Sequence, residues 1–415
     1  MEVKEASAHY LPEQDLDCPS GYRRTEVGVI PDDWEETSLG AVTNKIIGGG
    51  TPSRSVSNYW NGDIPWMTVK DFAHYSPFGT LEHITEIGLK NSASNIIPRR
   101  TLIASTRMAL GKAVIYEVDV CINQDLKAIF PNNEVNTDFL YFWFQFNESR
   151  IAEMGSGSTV MGISLEDLKK IPFAKPTKAE QEAIAGALSD TGALIESLEQ
   201  LIAKKRHIKQ GAMQELLRPK EGWVEEALGS LAMLINGRAY ALHEWESSGV
   251  PVIRLQNLTG RGEDYYYSNL TLPDKQYCYS GDLLFMWSAT FGPIIWRGPK
   301  AIYHYHIWKI ECRDGALHKK FLFYVLSDIT EKLKNSSASG GTMLHLTKSG
   351  MENLTIHLPS YLEQEEIASV LADMDTEITT LETKLAKTRQ LKQGMMHELL
   401  TGRIRLVKPA KDRDS

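Results

Sequence analysis

The residues of this 415-residue chain that come nearest to catalytic or metal-binding patterns each fall short of one. His397-Glu398-Leu399-Leu400-Thr401 starts like an HExxH zinc site, but threonine stands where the second histidine would supply a ligand. Tyr303-His304-Tyr305-His306 reads as a strand with two histidines on one face, yet no further ligand cluster follows, so no metal is expected. Gly111-Lys112 lacks the earlier glycine of a phosphate loop, and no GxSxG elbow occurs. Gly48-Gly49-Gly50 reads as a turn and not as a dinucleotide fingerprint. An enzymatic reading is left without residues, and no cofactor is expected on this chain.

What remains is a set of side chains suited to nucleic acid. Arg54, Lys70, Arg107 and Lys112 in the first half lie in loop-like segments, as do Arg238, Arg254, Asn257 and Arg261 in the second. Guanidinium, ammonium and amide groups hold phosphates or pair with guanine and adenine edges. Any one of them alone is also an ordinary solvated charge. Tyr265-Tyr266-Tyr267 offers rings for base stacking, or half-buried strand tyrosines. The net charge of −8 opposes a polyanionic partner until its distribution is considered. Residues 1–36 hold ten acidic and three basic side chains, whereas residues 37–112 hold eight basic and four acidic. Local charge governs contact with phosphates.

Such side chains need elements to position them, and the chain supplies those twice. Pro176-Thr-Lys-Ala-Glu-Gln-Glu-Ala-Ile184 returns as Pro359-Ser-Tyr-Leu-Glu-Gln-Glu-Glu-Ile367, and Lys209-Gln-Gly through Leu217 returns as Lys392-Gln-Gly through Leu400. Both pairs share one offset of 183 residues. The remainder repeats loosely: Trp34–Gly40 matches Trp223–Gly229, Pro65–Lys70 resembles Pro251–Gln256, and Leu102–Gly111 resembles Leu283–Gly292. One kept part and one diverged part describe a common scaffold presenting two specificities.

The kept part is helical. Thr177-x-x-Glu180 and Ser360-x-x-Glu363 are capping boxes in which the Glu is expected to reach back to the cap amide. About 39 residues then make a rod of roughly 58 Å. Leu188, Ile195, Leu198 and Ile202 in the first helix, and Leu371, Met374, Ile378, Leu381 and Leu385 in the second, form an a/d seam. Lys209 and Lys392 interrupt it at matching places. The seam predicts an antiparallel coiled coil within the chain; packing of each helix on its own globular domain is the alternative. The diverged parts show short apolar runs such as Thr101–Ser105, Ala113–Tyr116, Val250–Leu255, Asp282–Trp287 and His304–Glu311, read as strands, with helices near Asp138–Met154 and Leu165–Lys169.

The expected fold is therefore mixed α/β, or α+β. Its domains are a leader (1–30), a first recognition domain (31–178), a long helix (179–218), a second recognition domain (219–361), a second helix (362–400) and a basic tail (401–415). No run is apolar enough to cross a membrane, the acidic start has no signal-peptide run, and Cys18, Cys121, Cys278 and Cys312 show no CxxC spacing, so a cytoplasmic location is expected.

Gly21-Tyr-Arg-Arg-Thr-Glu-Val-Gly-Val-Ile-Pro-Asp-Asp-Trp34, Gly49-Gly-Thr-Pro-Ser53 with Tyr59-Trp-Asn-Gly-Asp-Ile-Pro-Trp66, the two Glu-Gln-Glu helix openings and Leu400-Thr-Gly-Arg-Ile-Arg-Leu406 together resemble the specificity (S) subunit of type I restriction–modification systems. The second domain departs from the first, with Asn236-Gly-Arg238 in place of the Gly-Gly-Thr-Pro loop. The resemblance implies a non-catalytic subunit whose two domains each read half of a bipartite double-stranded DNA site. It further implies helices that set the spacer and dock two methyltransferase subunits. S-adenosylmethionine, ATP and Mg²⁺ would then belong to those subunits and to a restriction/translocase subunit. A stand-alone DNA-binding regulator and a coiled-coil adaptor are the other readings. Purification without a methyltransferase would favour the regulator, and absence of salt-sensitive DNA binding the adaptor.

Overall fold

The computed structural model describes residues 18–155, 162–262, 264–288, 291–337 and 347–407. The described residues form two compact units: a first comprising residues 18–198 together with those from Lys384 onward, and a second comprising Glu199–Thr383.

The two larger sheets of the first unit are built from β1 (Thr43–Gly48), β2 (Trp60–Met67), β3 (Glu82–Ile84), β4 (Ile96–Ile97), β5 (Leu102–Ser105), β6 (Ala113–Ile115), β7 (Val120–Ile122) and β8 (Leu126–Pro131). They make two four-stranded sheets, ordered β3-β2-β7-β4 and β1-β8-β5-β6. β5 and β6 are buried at every position, which is why their sequences read as apolar runs without alternation. Helix α1 (Thr137–Phe146) buries Phe139, Leu140, Phe142, Trp143 and Phe144, in the same core as Trp34 and Phe173.

The second unit repeats these two sheets strand for strand. The strands of its two sheets are β9 (Ala232–Asn236), β10 (Val250–Ile253), β11 (Tyr266–Ser268), β12 (Tyr277–Cys278), β13 (Leu283–Met286), β14 (Gly292–Ile295), β15 (Ala301–Tyr303) and β16 (Ile307–Cys312). The sheets are ordered β11-β10-β15-β12 and β9-β16-β13-β14. In each unit the central pair of the first sheet is parallel, with Trp66 opposite Cys121 and Val252 opposite Ile302. Fold class and duplication are thus as the sequence predicts.

Two long helices, Lys178–Leu216 and Tyr361–Leu400, each contribute to both units. The glutamine shared by their openings has a defined task. Gln181 accepts from Asn136 N at 2.9 Å and donates to the carbonyls of Glu134 and Pro176 at 3.1 and 2.9 Å. Gln364 repeats this on His318 N, Ala316 O and Pro359 O at 2.8, 3.1 and 3.2 Å. Both are buried with their hydrogen bonds made, so any apolar replacement orphans three backbone groups.

Seam residues Leu188, Leu198, Ile202, Leu371 and Ile378 are buried, and Ile195, Met374, Leu381 and Leu385 half-buried. Inside the second unit the helices are joined antiparallel by Arg206–Glu382 and Lys209–Asp375. Inside the first, Thr191 Oγ1 lies 3.6 Å from Met395 Sδ. No helix among the described residues is long and apolar enough to cross a membrane.

Three local expectations need correction. The capping boxes form by half: Thr177 and Ser360 accept from the amides of Glu180 and Glu363, but neither carboxylate turns back. Glu180 is instead drawn to the stronger donors Arg405 and Trp34. Tyr303–His306 is no continuous strand, because β15 ends at Tyr303 and the chain turns, with Ile307 N donating to His304 O. Residues Leu255–Thr259 form a helical turn and do not extend β10, since the Asn257 side chain caps the amide of Arg254.

Candidate nucleic-acid interface

The loops after β1 and β9 begin with a glycine that sequence divergence disguises. A Cβ on Gly49 would lie 1.8 Å from Ile122 O, and one on Gly237 would lie 2.2 Å from His304 O. Only glycine lets the chain pass so close to β7 and β15. Gly237 therefore takes the structural place of Gly49, although the Gly-Gly-Thr-Pro motif is absent. An arginine follows in each loop.

In the first unit that arginine is Arg54. Its Cζ lies 3.8 Å from the Trp60 ring centroid, and both terminal nitrogens bond the Glu82 carboxylate on β3, at 2.5 and 2.9 Å. Glu82 is held below the ordinary carboxyl range by that bond. Trp66, edge-on to Trp60, is fixed by a 3.0 Å bond from its indole to Gly50 O. A cleft of about 470 Å³ is lined by Arg54, Trp60, Asn61, Gly62, Glu82 and His83.

In the second unit the arginine is Arg238, paired with Glu244 and lying 4.4 Å from the Tyr240 centroid. Tyr240 stacks on Trp245 at 4.8 Å, and Trp245 meets Tyr266 of β11 at 4.7 Å. Arg254 lies over Tyr266 at 4.1 Å. Arg238 Nη1, Tyr240 Oη and Arg254 Nε are buried without a partner among the described residues. His304, next to Trp245, is pushed down to about 4 by burial and then by His306 and Arg254, so near neutrality it offers one N–H and one lone pair.

The other sequence candidates fall elsewhere. Lys70, Arg107, Lys112 and Arg261 are exposed, with Arg107 bridging to Gly162 through the backbone. Exposed cations of this kind suit phosphates more than bases. Asn257 accepts from Arg254 N and donates to Gly262 O and Asp264 O, so its amide holds its own loop. Missing from the sequence reading were Trp60, Glu82, Tyr240, Glu244 and Trp245. For the last three a signal existed, an arginine followed within seven residues by two aromatics and an acid. Among the described residues no group of three metal-ligating side chains assembles, and His304 and His306 stand as a pair.

The family described as Type I restriction modification DNA specificity domain matches residues 31–204 and again 220–391. The chain is 24% identical to the MjaIX type I restriction enzyme specificity subunit of Methanocaldococcus jannaschii, over 93% of this chain and 96% of that one. It is 27% identical to the EcoBI specificity subunit of Escherichia coli over 46% of this chain and 41% of the relative. In fold it is similar to the type I restriction–modification S subunit from M. genitalium, with a TM-score of 0.60 at 15% identity, covering 92% and 98% of the two chains. A chain solved in work on complex assembly and conformational transition of the type I R-M system gives a TM-score of 0.56 at 15% identity, covering 90% and 99%.

Proposed function

Since the chain belongs to the type I restriction modification DNA specificity family, we propose that it is the DNA-reading subunit of such a system, each unit recognising one half of a bipartite duplex site. The observation that carries this reading is the repeated placement of an arginine, held over an aromatic ring and paired with a glutamate, in the loop that follows β1 and β9. Such pairing fixes where each guanidinium sits in its loop, and the rings beside it offer stacking surface to bases.

The long helices take the role of spacer and dock. On the helix Lys178–Leu216, Leu194, Leu201 and Ile208 recur every seven residues outside the seam and are 44%, 38% and 46% exposed. An exposed heptad stripe fits a partner helix, which we assign to two methyltransferase subunits. S-adenosylmethionine would sit on those subunits, and ATP with Mg²⁺ on a restriction/translocase subunit. The location is the cytoplasm, where the DNA and those partners meet.

Methylome mapping in cells with and without this gene tests the proposal. A gapped motif should disappear with the gene, and the pure chain should neither methylate nor cleave DNA until a methyltransferase subunit is added. Methyl transfer by the pure chain, or an unchanged methylome, would overturn it.

A further inference from the structure

Glu82 and Tyr266 occupy the same place in the two units. Each lies on the edge strand beside the central parallel pair, opposite Trp66 in one case and Val252 in the other. Over each lies a guanidinium, but the two arrive from different segments and in different states. Arg54 comes from the loop after β1, and Glu82 holds both of its terminal nitrogens. Arg254 comes from the end of β10 and lies on a tyrosine. No carboxylate pairs with it among the described residues, and its buried Nε has no partner.

The terminal nitrogens of Arg254, which are not buried, also have no hydrogen bond among the described residues, so their N–H groups are left for an acceptor from outside. Arginine only donates. On the major-groove edges of DNA, two adjacent acceptors, O6 and N7, are presented by guanine, whereas adenine presents one acceptor and one donor. A phosphate would satisfy the same donors, but the half-buried setting of Arg254, with Tyr266 and Trp245 beside it, restricts the guanidinium as a flat, in-plane contact requires. Arg238, already bonded to Glu244, has less to give.

We infer that Arg254 reads a guanine in the half-site bound by the second unit, through the paired O6 and N7 acceptors of that base. This rests on the DNA-reading role proposed above. The first unit has no counterpart, because Thr68 stands at the equivalent position and the nearby guanidinium is neutralised by Glu82.

The test is selection from randomised duplexes by the purified full-length chain, followed by titration of the selected duplex. One half of the motif should contain an invariant guanine whose replacement by 7-deazaguanine, which lacks the N7 acceptor, weakens binding about 10- to 100-fold. Arg254→Gln should lose preference at that position, become insensitive to the deaza substitution and leave the other half-site unchanged. The deaza measurement uses unaltered protein and so is independent of the variant's folding. The inference is overturned if Arg254→Gln weakens all sequences alike with a shallower salt dependence, the mark of a phosphate contact. It is equally overturned if no selected guanine responds to the variant. Failure of the unaltered chain to select any gapped motif would instead bring down the DNA-reading role itself, and this inference with it.

Discussion

Lys209 and Asp375 form an ion pair between the two long helices inside the second unit, and Tyr324 donates to the other carboxylate oxygen at 2.8 Å. Lys392 stands at the matching place of the repeat in the first unit, but there Gly192 and Phe142 face it. Carboxylate and phenol are lost together. Burial pushes the Lys392 ammonium below its ordinary range, and no acceptor among the described residues compensates it. One unit gives the lysine that interrupts its seam an anionic partner, and the other, among the described residues, gives it only the Phe142 ring.

Gly192→Asp should therefore stabilise the chain. A Cβ there would lie 3.3 Å from Lys392 Nζ, the mobile end of a flexible side chain. Removing a mid-helix glycine and supplying a carboxylate should together contribute about 1 kcal/mol. Denaturant midpoints for Gly192→Asp, Lys392→Met and the double variant give the coupling. If Gly192→Asp gains as much when Lys392 is methionine, the ion pair contributes nothing.

A second clamp closes the first unit on itself. Arg405 bonds the fully buried Glu180 at 2.6 and 2.8 Å and Asp33 at 2.8 and 2.7 Å, while Trp34 Nε1 reaches Glu180 at 3.0 Å. Arg405→Ala leaves a buried carboxylate with one neutral donor, and should cost about 3 kcal/mol. Arg405→Lys should recover only part of that, since one ammonium cannot span both acids. Equal midpoints for Arg405→Ala and the unaltered chain would show that Glu180 finds another donor.

The architecture was legible wherever sequence periodicity reports burial. The a/d stripe from Leu371 to Leu385 and the run Leu102–Ser105 both face the interior as their patterns require. The Glu-Gln-Glu repeat was visible without its meaning, because Gln181 and Gln364 bond backbone carbonyls and amides that no pattern marks. The candidate site was legible in part. Arg54, Arg238 and Arg254 lie in the aromatic clusters, but Glu82 and Tyr266 reach them only through strand pairing across an intervening loop. Sequence distance hid Glu82 altogether, and for Tyr266, a stacking candidate in the sequence, it hid the approach to Arg254. The turn at His304–His306 was misread because Tyr303 and Ile307 on either side are strand residues with ordinary strand chemistry.

Acid should weaken the second unit in a defined window. His304 has an ordinary value of 6.5 and is pushed down to about 4 in the fold. Between those limits the unfolded chain holds the proton and the folded chain does not, so unfolding gains as pH falls. The stabilisation is full above about pH 6.5 and declines toward pH 4. His306 is lowered too, also by burial, and adds in the same direction. Asp33 and Glu82, held below the ordinary carboxyl range by Arg405 and Arg54, act at lower pH. His304→Gln should flatten the melting temperature between pH 4 and pH 6.5. An unchanged slope would assign the acid sensitivity to other groups.

Glu82→Gln tests the neutralised guanidinium of the first unit. In the folded chain Arg54 gives both terminal nitrogens to Glu82, so the pair presents little net charge to a duplex. Glutamine keeps the shape and one acceptor but leaves the positive charge uncompensated. The pair is exposed, so the fold should lose less than about 1 kcal/mol. If Arg54 lies at the DNA surface, the variant should bind duplexes more tightly at low salt. A plot of log K against log salt should then steepen by roughly one unit, the increment for one further phosphate contact. The half-site read by the second unit should not change, because Arg238 and Arg254 are untouched. Binding isotherms across a salt series, with motif selection at one salt, read both expectations. An unchanged salt slope would place Arg54 away from the phosphates.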